Sequence, residues 1–374
     1  MISKRKSYKD QTKLLRHAFF LVIVYFKCLP GLSQNDSIWQ KEPEISMSGF
    51  IDVFYCYDFN EPSTSYRQPF LYNHNRHNEF NLNLGFVKLN VNHLKYRANI
   101  ALQAGTYVQD NYSSEPELFR HVFEGNAGFS LNKKNNLWLD AGIFGSHIGF
   151  ETALSKDNFN LTRSLLAENS PYYLAGAKLT YNPNQNLELA AIICNGWQRI
   201  KRVTGNSLPA FCTQLKYTRN STTLNWSTFC GTDDPDSSRR MRYFSNLFLQ
   251  TAITKKLSII GGFDFGFQQT GNTSLNYNVW YSPIIIIRSK LSQNWATSLR
   301  CEYYEDSKGV IINTGTPNGF ATTGVSLNID YAPAKNILCR IEGRWLNSRD
   351  KIFEKRNQLV NDNYFVTASI AVSL

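Results

Sequence analysis

The chain has 374 residues, 42% of them hydrophobic and 14% aromatic, with seven cysteines and a formal net charge of +11. This length allows one large all-β domain, and the aromatic, Asn-, Ser- and Thr-rich composition suits strands and polar loops better than a helical bundle. Beyond the N-terminal region no run approaches roughly eighteen consecutive apolar residues, which excludes helical membrane spans there.

The basic excess invites a nucleic-acid reading, and its distribution removes it. Lys4, Arg5, Lys6, Lys9, Lys13 and Arg16 precede the apolar run Ala18 to Phe26, which is followed by Gly31, Leu32 and Ser33. That order describes a secretory signal peptide over residues 1–33, cut after Ser33. Its removal takes seven bases (Lys27 is the seventh) and one acid, Asp10, leaving 33 bases against 28 acids, or +5. Cys28 follows Lys27 rather than the small residue expected before a lipidated cysteine. The remaining cysteines, Cys56, Cys194, Cys212, Cys230, Cys301 and Cys339, all fall in predicted strands without C-x-x-C spacing. They read as small apolar fillers, with an incidental bridge left open, and not as a metal site or disulfide framework.

After a short tail at 34–44, period-two alternation dominates the chain from 45 to 374. In the first strand, about 45–59, Ile45, Met47, Ile51, Val53, Tyr55, Tyr57 and Phe59 share a face opposite Ser46, Ser48, Asp52 and Asp58. Further strands are predicted near 78–91, 94–109, 121–132, 136–145, 171–182, 186–196, 207–219, 222–231, 241–254, 257–269, 277–290, 294–305, 320–332, 336–347 and 361–374, sixteen in all. Their connections alternate between tight turns, such as Asn92–His93 and Asn220–Ser221, and long segments near 60–77, 110–120, 146–170, 197–206, 232–240, 270–276, 306–319 and 348–360.

Alternating loop lengths mark a transmembrane up-and-down antiparallel β-barrel, with short periplasmic turns and long extracellular loops in the outer membrane of a Gram-negative bacterium. Closure lets every backbone group find a partner in lipid. A soluble β-sandwich is the alternative. Tyr57, Phe59, Phe80, Tyr173, Trp197, Tyr303, Trp345 and Tyr364 near the long-loop ends, and Trp138, Tyr181, Tyr217, Trp295 and Tyr331 near the short turns, are expected to form two aromatic girdles. The last strand places Tyr364, Val366, Ala368, Ile370, Val372 and Leu374 on one face. It resembles the terminal strand by which barrel-assembly machinery recognises its clients, although Leu374 stands where an aromatic is common.

Charged residues on the polar face belong in a wet lumen, since an Arg or Lys facing lipid at mid-membrane costs about 2–4 kcal/mol. By parity the lumen wall carries Asp52, Arg97, Lys178, Asp264, Arg300, Glu302, Arg340, Glu342 and Arg344. They either set a transverse field and ion preference or brace the wall as salt bridges. No G-x-S-x-G or H-E-x-x-H motif is present. His147 with Ser146 and Glu151 is the nearest approach to a hydrolase trio, so no catalytic, cofactor or metal site is expected. A large unplugged barrel passes solutes passively, and the +5 balance suggests a weak anion preference.

The longest interruption, Ser146 to Ser170, is the third long connection, and so long a strandless interval is usually functional. Its likeness in position to the third loop of general porins, which folds inward and narrows the channel, implies that it does the same. A helical turn is predicted between Asp157 and Asn169, capped by Asp157 or Asn158. Leu161, Leu165 and Leu166 would dock on the wall, and Glu151, Asp157, Arg163 and Glu168 would form a constriction, Arg163 and Glu168 facing the path. The alternative is an extracellular lid.

The segments SGFIDVFYCYDF, WLDAGIFGSHIGFE, Asn158 through Thr162, Arg163 and Ser164 to Pro171, Tyr172 and Tyr173, CNGWQRI, GFATTGVSLNIDYAP and RIEGRW resemble the putative β-barrel porin family 2 of Gram-negative outer membranes. The resemblance implies a porin-like barrel for small hydrophilic solutes, without assigning the solute. Outer-membrane lipid, the assembly machinery and, by analogy with general porins, two further copies in a homotrimer are the expected partners. A closed barrel serving as surface receptor or wall, or a membrane-embedded hydrolase, are the alternatives.

Overall fold

The computed structural model describes residues 38–374; the expected signal peptide (1–33) and residues 34–37 of the tail lie outside the described residues. Strands β1 (Glu44–Asp58), β2 (Phe80–Asn92), β3 (Tyr96–Ala104), β4 (Val122–Ser130), β5 (Leu137–Gly145), β6 (Tyr173–Asn184), β7 (Leu187–Cys194) and β8 (Ala210–Arg219) form one half of the wall. The other half is β9 (Thr222–Gly231), β10 (Arg242–Ala252), β11 (Leu257–Gln269), β12 (Tyr277–Lys290), β13 (Trp295–Asp306), β14 (Phe320–Ala334) and β15 (Ile337–Ser348), then β18 (Asp362–Ser373). A small hairpin, β16 (Phe353–Lys355) with β17 (Gln358–Val360), stands in the last long loop. Each wall strand pairs antiparallel with its neighbours, and β1 closes the barrel on β18 through pairs such as Asp52 with Ala371 and Tyr55 with Ala368. The wall is therefore a closed barrel of sixteen strands among the described residues.

The barrel is apolar outside and polar within. Between β13, β14 and β15 the outward register runs Leu299, Leu327 and Ile329 to Ile341, all exposed. The inward register pairs Arg300 with Ser326, Ser326 with Arg344, Asn328 with Glu342 and Asp330 with Arg340, all buried. Exposed aliphatic rows over buried charges invert the soluble pattern, and lipid is the solvent that makes this stable.

The predicted strand at 94–109 stops at Ala104. Gly105 adopts φ 130°, and a Cβ there would sit 2.3 Å from the Asn83 carbonyl oxygen, so the backbone turns inward at a point only glycine tolerates. Helix α1 (Thr106–Asn111) follows, then α2 (Glu117–Arg120). At the long-loop rim, the interior is packed by Phe54, Phe70, Phe229, Phe244, Trp280, Tyr304, Phe320, Phe353 and Phe365. The Trp280 ring lies where a Cβ on Gly266 would be, 2.0 Å from its nearest atom, so the absent side chain is what admits the indole.

Three expected girdle residues belong elsewhere. Tyr173 is buried and stacks on Tyr112 at 4.0 Å, Trp197 packs edge-on against Phe229 and Phe244, and Trp138 lies under the Arg97 guanidinium at 4.4 Å. Phe59, Phe80, Tyr364, Tyr181, Tyr217, Trp295 and Tyr331 are exposed on the outer face. All six cysteines of the barrel are unbridged; Cys194 and Cys212, on neighbouring strands, hold their sulfurs 3.8 Å apart.

A charge on the outer face tests this polarity. Leu299→Arg, pointing into lipid at mid-strand, should destabilise the barrel by about 2–4 kcal/mol, read as a lowered urea midpoint on refolding into liposomes. An unchanged midpoint would mean that this face is not lipid-exposed.

Candidate functional site

The loop from Ser146 to Tyr172 has no strand to pair with, so its backbone donors and acceptors must find side chains. The inward charges of β12 to β15 supply them. Glu342 accepts from the Thr162 amide at 2.6 Å and hydroxyl at 2.9 Å, and Glu302 accepts from the Leu165 amide at 2.7 Å. Arg300 donates to the Thr162 carbonyl at 2.7 Å and Arg344 to the Arg163 carbonyl at 2.9 Å. Arg340 alone donates to the carbonyls of Ser155, Asn158, Phe159 and Asn160, at 2.5 to 3.2 Å. Asn328 and Ser326 receive the Leu161 amide and the Asn160 side-chain amide.

The same charges neutralise one another. Arg300 pairs with Glu342 at 2.9 Å, Arg344 with Glu302 at 2.6 Å and Arg340 with Asp330 at 2.6 Å, all buried. Buried ions are tolerated when paired and hydrogen-bonded, and the loop backbone supplies most of that bonding, leaving only the Nε atoms of Arg300 and Arg344 without a hydrogen bond. Arg300, Glu302, Arg340, Glu342 and Arg344 thus stand on the inner wall but border no open passage, a correction to the expectation that they face a wet lumen. The loop covers them.

Within the loop, a 3-10 turn at Ser155–Asp157 precedes helix α3 (Leu165–Glu168). Ser164 caps α3, its hydroxyl accepting from the Ala167 amide at 3.2 Å. Neither Asp157 nor Asn158 is the cap, because Asn158 is occupied by Thr152 and Leu154 of the preceding turn. Leu161, Leu165 and Leu166 are buried.

The four constriction candidates divide. Arg163 is 0% exposed and folds back onto the loop's own carbonyls at Leu161 (3.0 Å) and Ala153, so it does not face the path as expected. Glu168 is buried as well, accepting from the Tyr72 amide at 3.0 Å, the Asn73 amide at 3.2 Å and the Asn73 side chain at 3.1 Å. It too is turned from the path, with one edge bordering a recess. Glu151 accepts from the Ser164 amide at 3.0 Å and from its hydroxyl through one oxygen, leaving Oε1 without a partner. Asp157 is exposed.

Of the other wall candidates, Asp52 is buried beneath His74, whose Nε2 lies 3.0 Å away, and Asp264 is buried and accepts from Asn246 at 2.6 Å. Arg97 grips Asp140 with two bonds of 2.6 and 2.5 Å. Lys178 has the Phe144 ring 5.1 Å from its ammonium.

Open space remains on the opposite side of the barrel, along β2 to β8. An inner recess of about 360 Å³ near the short turns is bordered by Asn90, Asn99, Asn126, Arg97, Lys178 and Glu188. A middle cavity of about 220 Å³ is bordered by Glu151, Asp157, Tyr112, Tyr172, Tyr173 and Glu124, the last shared with the inner recess. An outer recess of about 270 Å³ carries Glu168, Trp197, Arg199, Asp233 and Arg242 and shares Ser170 with the middle cavity. The inner and middle spaces share Glu124 and Gly145, and the middle and outer share Ser170.

Sequence reasoning missed the second inward segment. Residues 67–76 of the first long loop are mostly buried and meet the third loop at Glu168. Arg67 pairs with Asp58 at 3.1 Å and lies over the Phe365 ring at 3.7 Å. The available signal was the run RQPFLYNHNR, too apolar and amide-rich for a solvated loop. The hydrolase trio is not assembled. Burial pushes the His147 imidazole down to about 4, and its Nε2–H donates to the Thr228 carbonyl at 3.0 Å, while Glu151 serves Ser164.

Comparison with known proteins agrees with this geometry. The sequence profile of a family described as putative beta-barrel porin-2, OmpL-like, matches residues 44–374. Among solved structures, the anion-selective porin from Comamonas acidovorans is similar at TM-score 0.59 and 9% identity, over 89% of this chain and 100% of that one. The outer membrane channel DcaP of Acinetobacter baumannii gives 0.58 and 11% over 90% and 98%. The trimer form of OmpT of Vibrio cholerae gives 0.57 and 8% over 89% and 100%. At such identities the likeness is one of fold. Comparison with curated proteins returns no match.

The Glu168 junction carries a pH dependence. Burial raises its carboxyl to about 7 from an ordinary 4.5, against the opposing pull of Arg163 and the Asn73 and Tyr72 donors. Protonation therefore favours the closed junction: the group's contribution is full below about 4.5 and is lost as pH rises through about 7. Amide exchange at Tyr72 and Asn73, corrected for intrinsic rate, should be slower at pH 5 than at pH 8, and Glu168→Gln should abolish the difference. Equal protection at both pH values in the unsubstituted protein would refute this linkage.

Proposed function

The chain belongs to the putative beta-barrel porin-2, OmpL-like family, and on that premise we propose a passive outer-membrane channel for small hydrophilic solutes in which the third long loop forms the constriction. The observation that carries the reading is the clamp: the backbone from Ser155 to Leu165 is hydrogen-bonded to inward side chains of β13 to β15, well inside the wall. A segment fixed there removes one side of the lumen and leaves the amide-lined side along β2 to β8 for diffusion. The polar, partly charged border of that side hydrates solutes without requiring a tight site.

Assembly as a homotrimer belongs to the same proposal, supported by the trimer form of the similar OmpT. Chemical crosslinking of the purified protein into a three-chain species tests it, and a strictly one-chain pattern refutes it. One observation favours a second reading, a closed barrel used as a surface receptor or wall. The aromatic cluster of Phe70, Phe320, Phe353 and Phe365 fills part of the outer mouth.

Planar-bilayer recording separates the two. A porin-type channel gives discrete unitary steps, and deleting residues 155–168 should enlarge them by removing the constricting segment. Equal steps after deletion would assign the loop to the rim, and absence of steps with the fold intact would select the closed barrel.

A further inference from the structure

The middle cavity differs from the recesses on either side in the sign of its border. Its charged groups among the described residues are Glu124, Glu151 and Asp157, and no Lys, Arg or His borders it. The inner recess mixes Arg97 and Lys178 with Glu124, Asp140 and Glu188, and the outer recess mixes Arg199 and Arg242 with Glu168 and Asp233. The nearest bases behind the middle cavity are already committed. Lys88 holds one oxygen of Glu124 at 2.5 Å, Arg163 is bound to loop carbonyls, and Arg300 is shared between Glu302, Glu342 and the Thr162 carbonyl.

Two further observations point to a ligand. The Oε1 atom of Glu151 is buried without a hydrogen-bond partner, and Glu151 borders this cavity. A buried polar atom left unpaired costs free energy that a ligand donor recovers. Four aromatic rings, Phe123, Tyr112, Tyr172 and Tyr173, share the border with the three carboxylates. Carboxylates and aromatic rings on the border of one small cavity match an organic ammonium group, to which ion pairing and cation–π attraction are both open. A carboxylate-bearing solute of equal size gains neither and meets like charge.

We propose that the middle cavity is a cation-selective step that binds the ammonium group of small organic amines, with Asp157 and Glu151 as its carboxylates and the Tyr112, Tyr172 and Phe123 rings as its walls. The step rests on the channel reading above and reverses the anion preference that a net charge of +5 would suggest. The charge that counts is the charge bordering the path. The bases that do stand on the wall nearby are matched by acids, Lys88 by Glu124 and Arg97 by Asp140, while Arg300, Arg340 and Arg344 are held in the clamp.

The purified full-length protein decides it by two routes. In bilayers, the reversal potential in a potassium chloride gradient should show potassium passing more readily than chloride. 1,4-Diaminobutane should reduce the open-channel current at concentrations where butanedioate, of the same chain length, does not. In detergent, calorimetry should show 1,4-diaminobutane binding more tightly than butanedioate. Asp157→Asn, which removes an exposed charge without touching the clamp, should weaken diamine binding by about 2- to 5-fold, the range of a partly solvated ion pair. Glu151→Gln should weaken it further; where that substitution loosens the loop through Ser164, Asp157→Asn alone carries the test. Chloride preference, equal binding of the two four-carbon probes, or unchanged diamine binding in Asp157→Asn would overturn the proposal. A protein that shows no conductance at all but binds the diamine retains the site and loses the channel.

Discussion

A segment of chain inside a membrane barrel brings backbone amides and carbonyls into a space where neither a strand partner nor bulk water is assured. This protein resolves the problem with side chains. Every other residue of β13, β14 and β15 points inward, and at the level of the third loop those residues are Arg300, Glu302, Asn328, Asp330, Arg340, Glu342 and Arg344. Acids meet the loop's amides and guanidinium groups meet its carbonyls. Either partner alone would be unstable: the charges would be buried and unpaired, and the loop would carry unsatisfied polar groups. Much else depends on this mutual satisfaction, including the burial of Arg163, the position of Glu168 under the first loop and the side on which the lumen stays open.

Once the loop is fixed to one side, the electrostatics of the opposite side matter. The ladder of six wall charges, Asp330 included, is paired base to acid and covered, so it sets little field in the open space. The residues that do border open space include amides such as Asn90, Asn99 and Asn126, mixed ion pairs at the two ends and only carboxylates in the middle. Net charge is a property of the whole chain, and a narrow passage samples only its own border.

The barrel itself was legible because its signal is periodic and repeated. Sixteen short alternating runs, separated by connections of alternating length, leave few other solutions, and the observed strands follow the expected ones closely. Strand three ended early because a single glycine at 105 can turn the backbone where alternation alone suggests continuation. The inward face was legible residue by residue through parity, but its role was not. Parity places Arg340 in the lumen and cannot say whether water or a loop carbonyl receives its hydrogen bonds. Arg163 fails for the same reason: a lone base amid leucines reads as exposed, yet the Ala153 and Leu161 carbonyls, set by the loop's own fold, bury it. Long-range contacts between loops, such as Glu168 with Asn73, leave no periodic trace at all.

The position of the third loop against β14 is the claim from which the open side, the constriction and the acidic cavity all follow. It is tested most directly by replacing Asn160→Cys together with Ser326→Cys, whose side chains touch at 3.1 Å across the clamp. Mild oxidation of the assembled protein in outer membranes should join the two positions, detected as a crosslinked peptide after proteolysis, with unitary conductance unaltered by the crosslink. Two thiols that stay separately reactive in the folded barrel, or a crosslink that opens or shuts the channel, would show that the loop does not normally rest there.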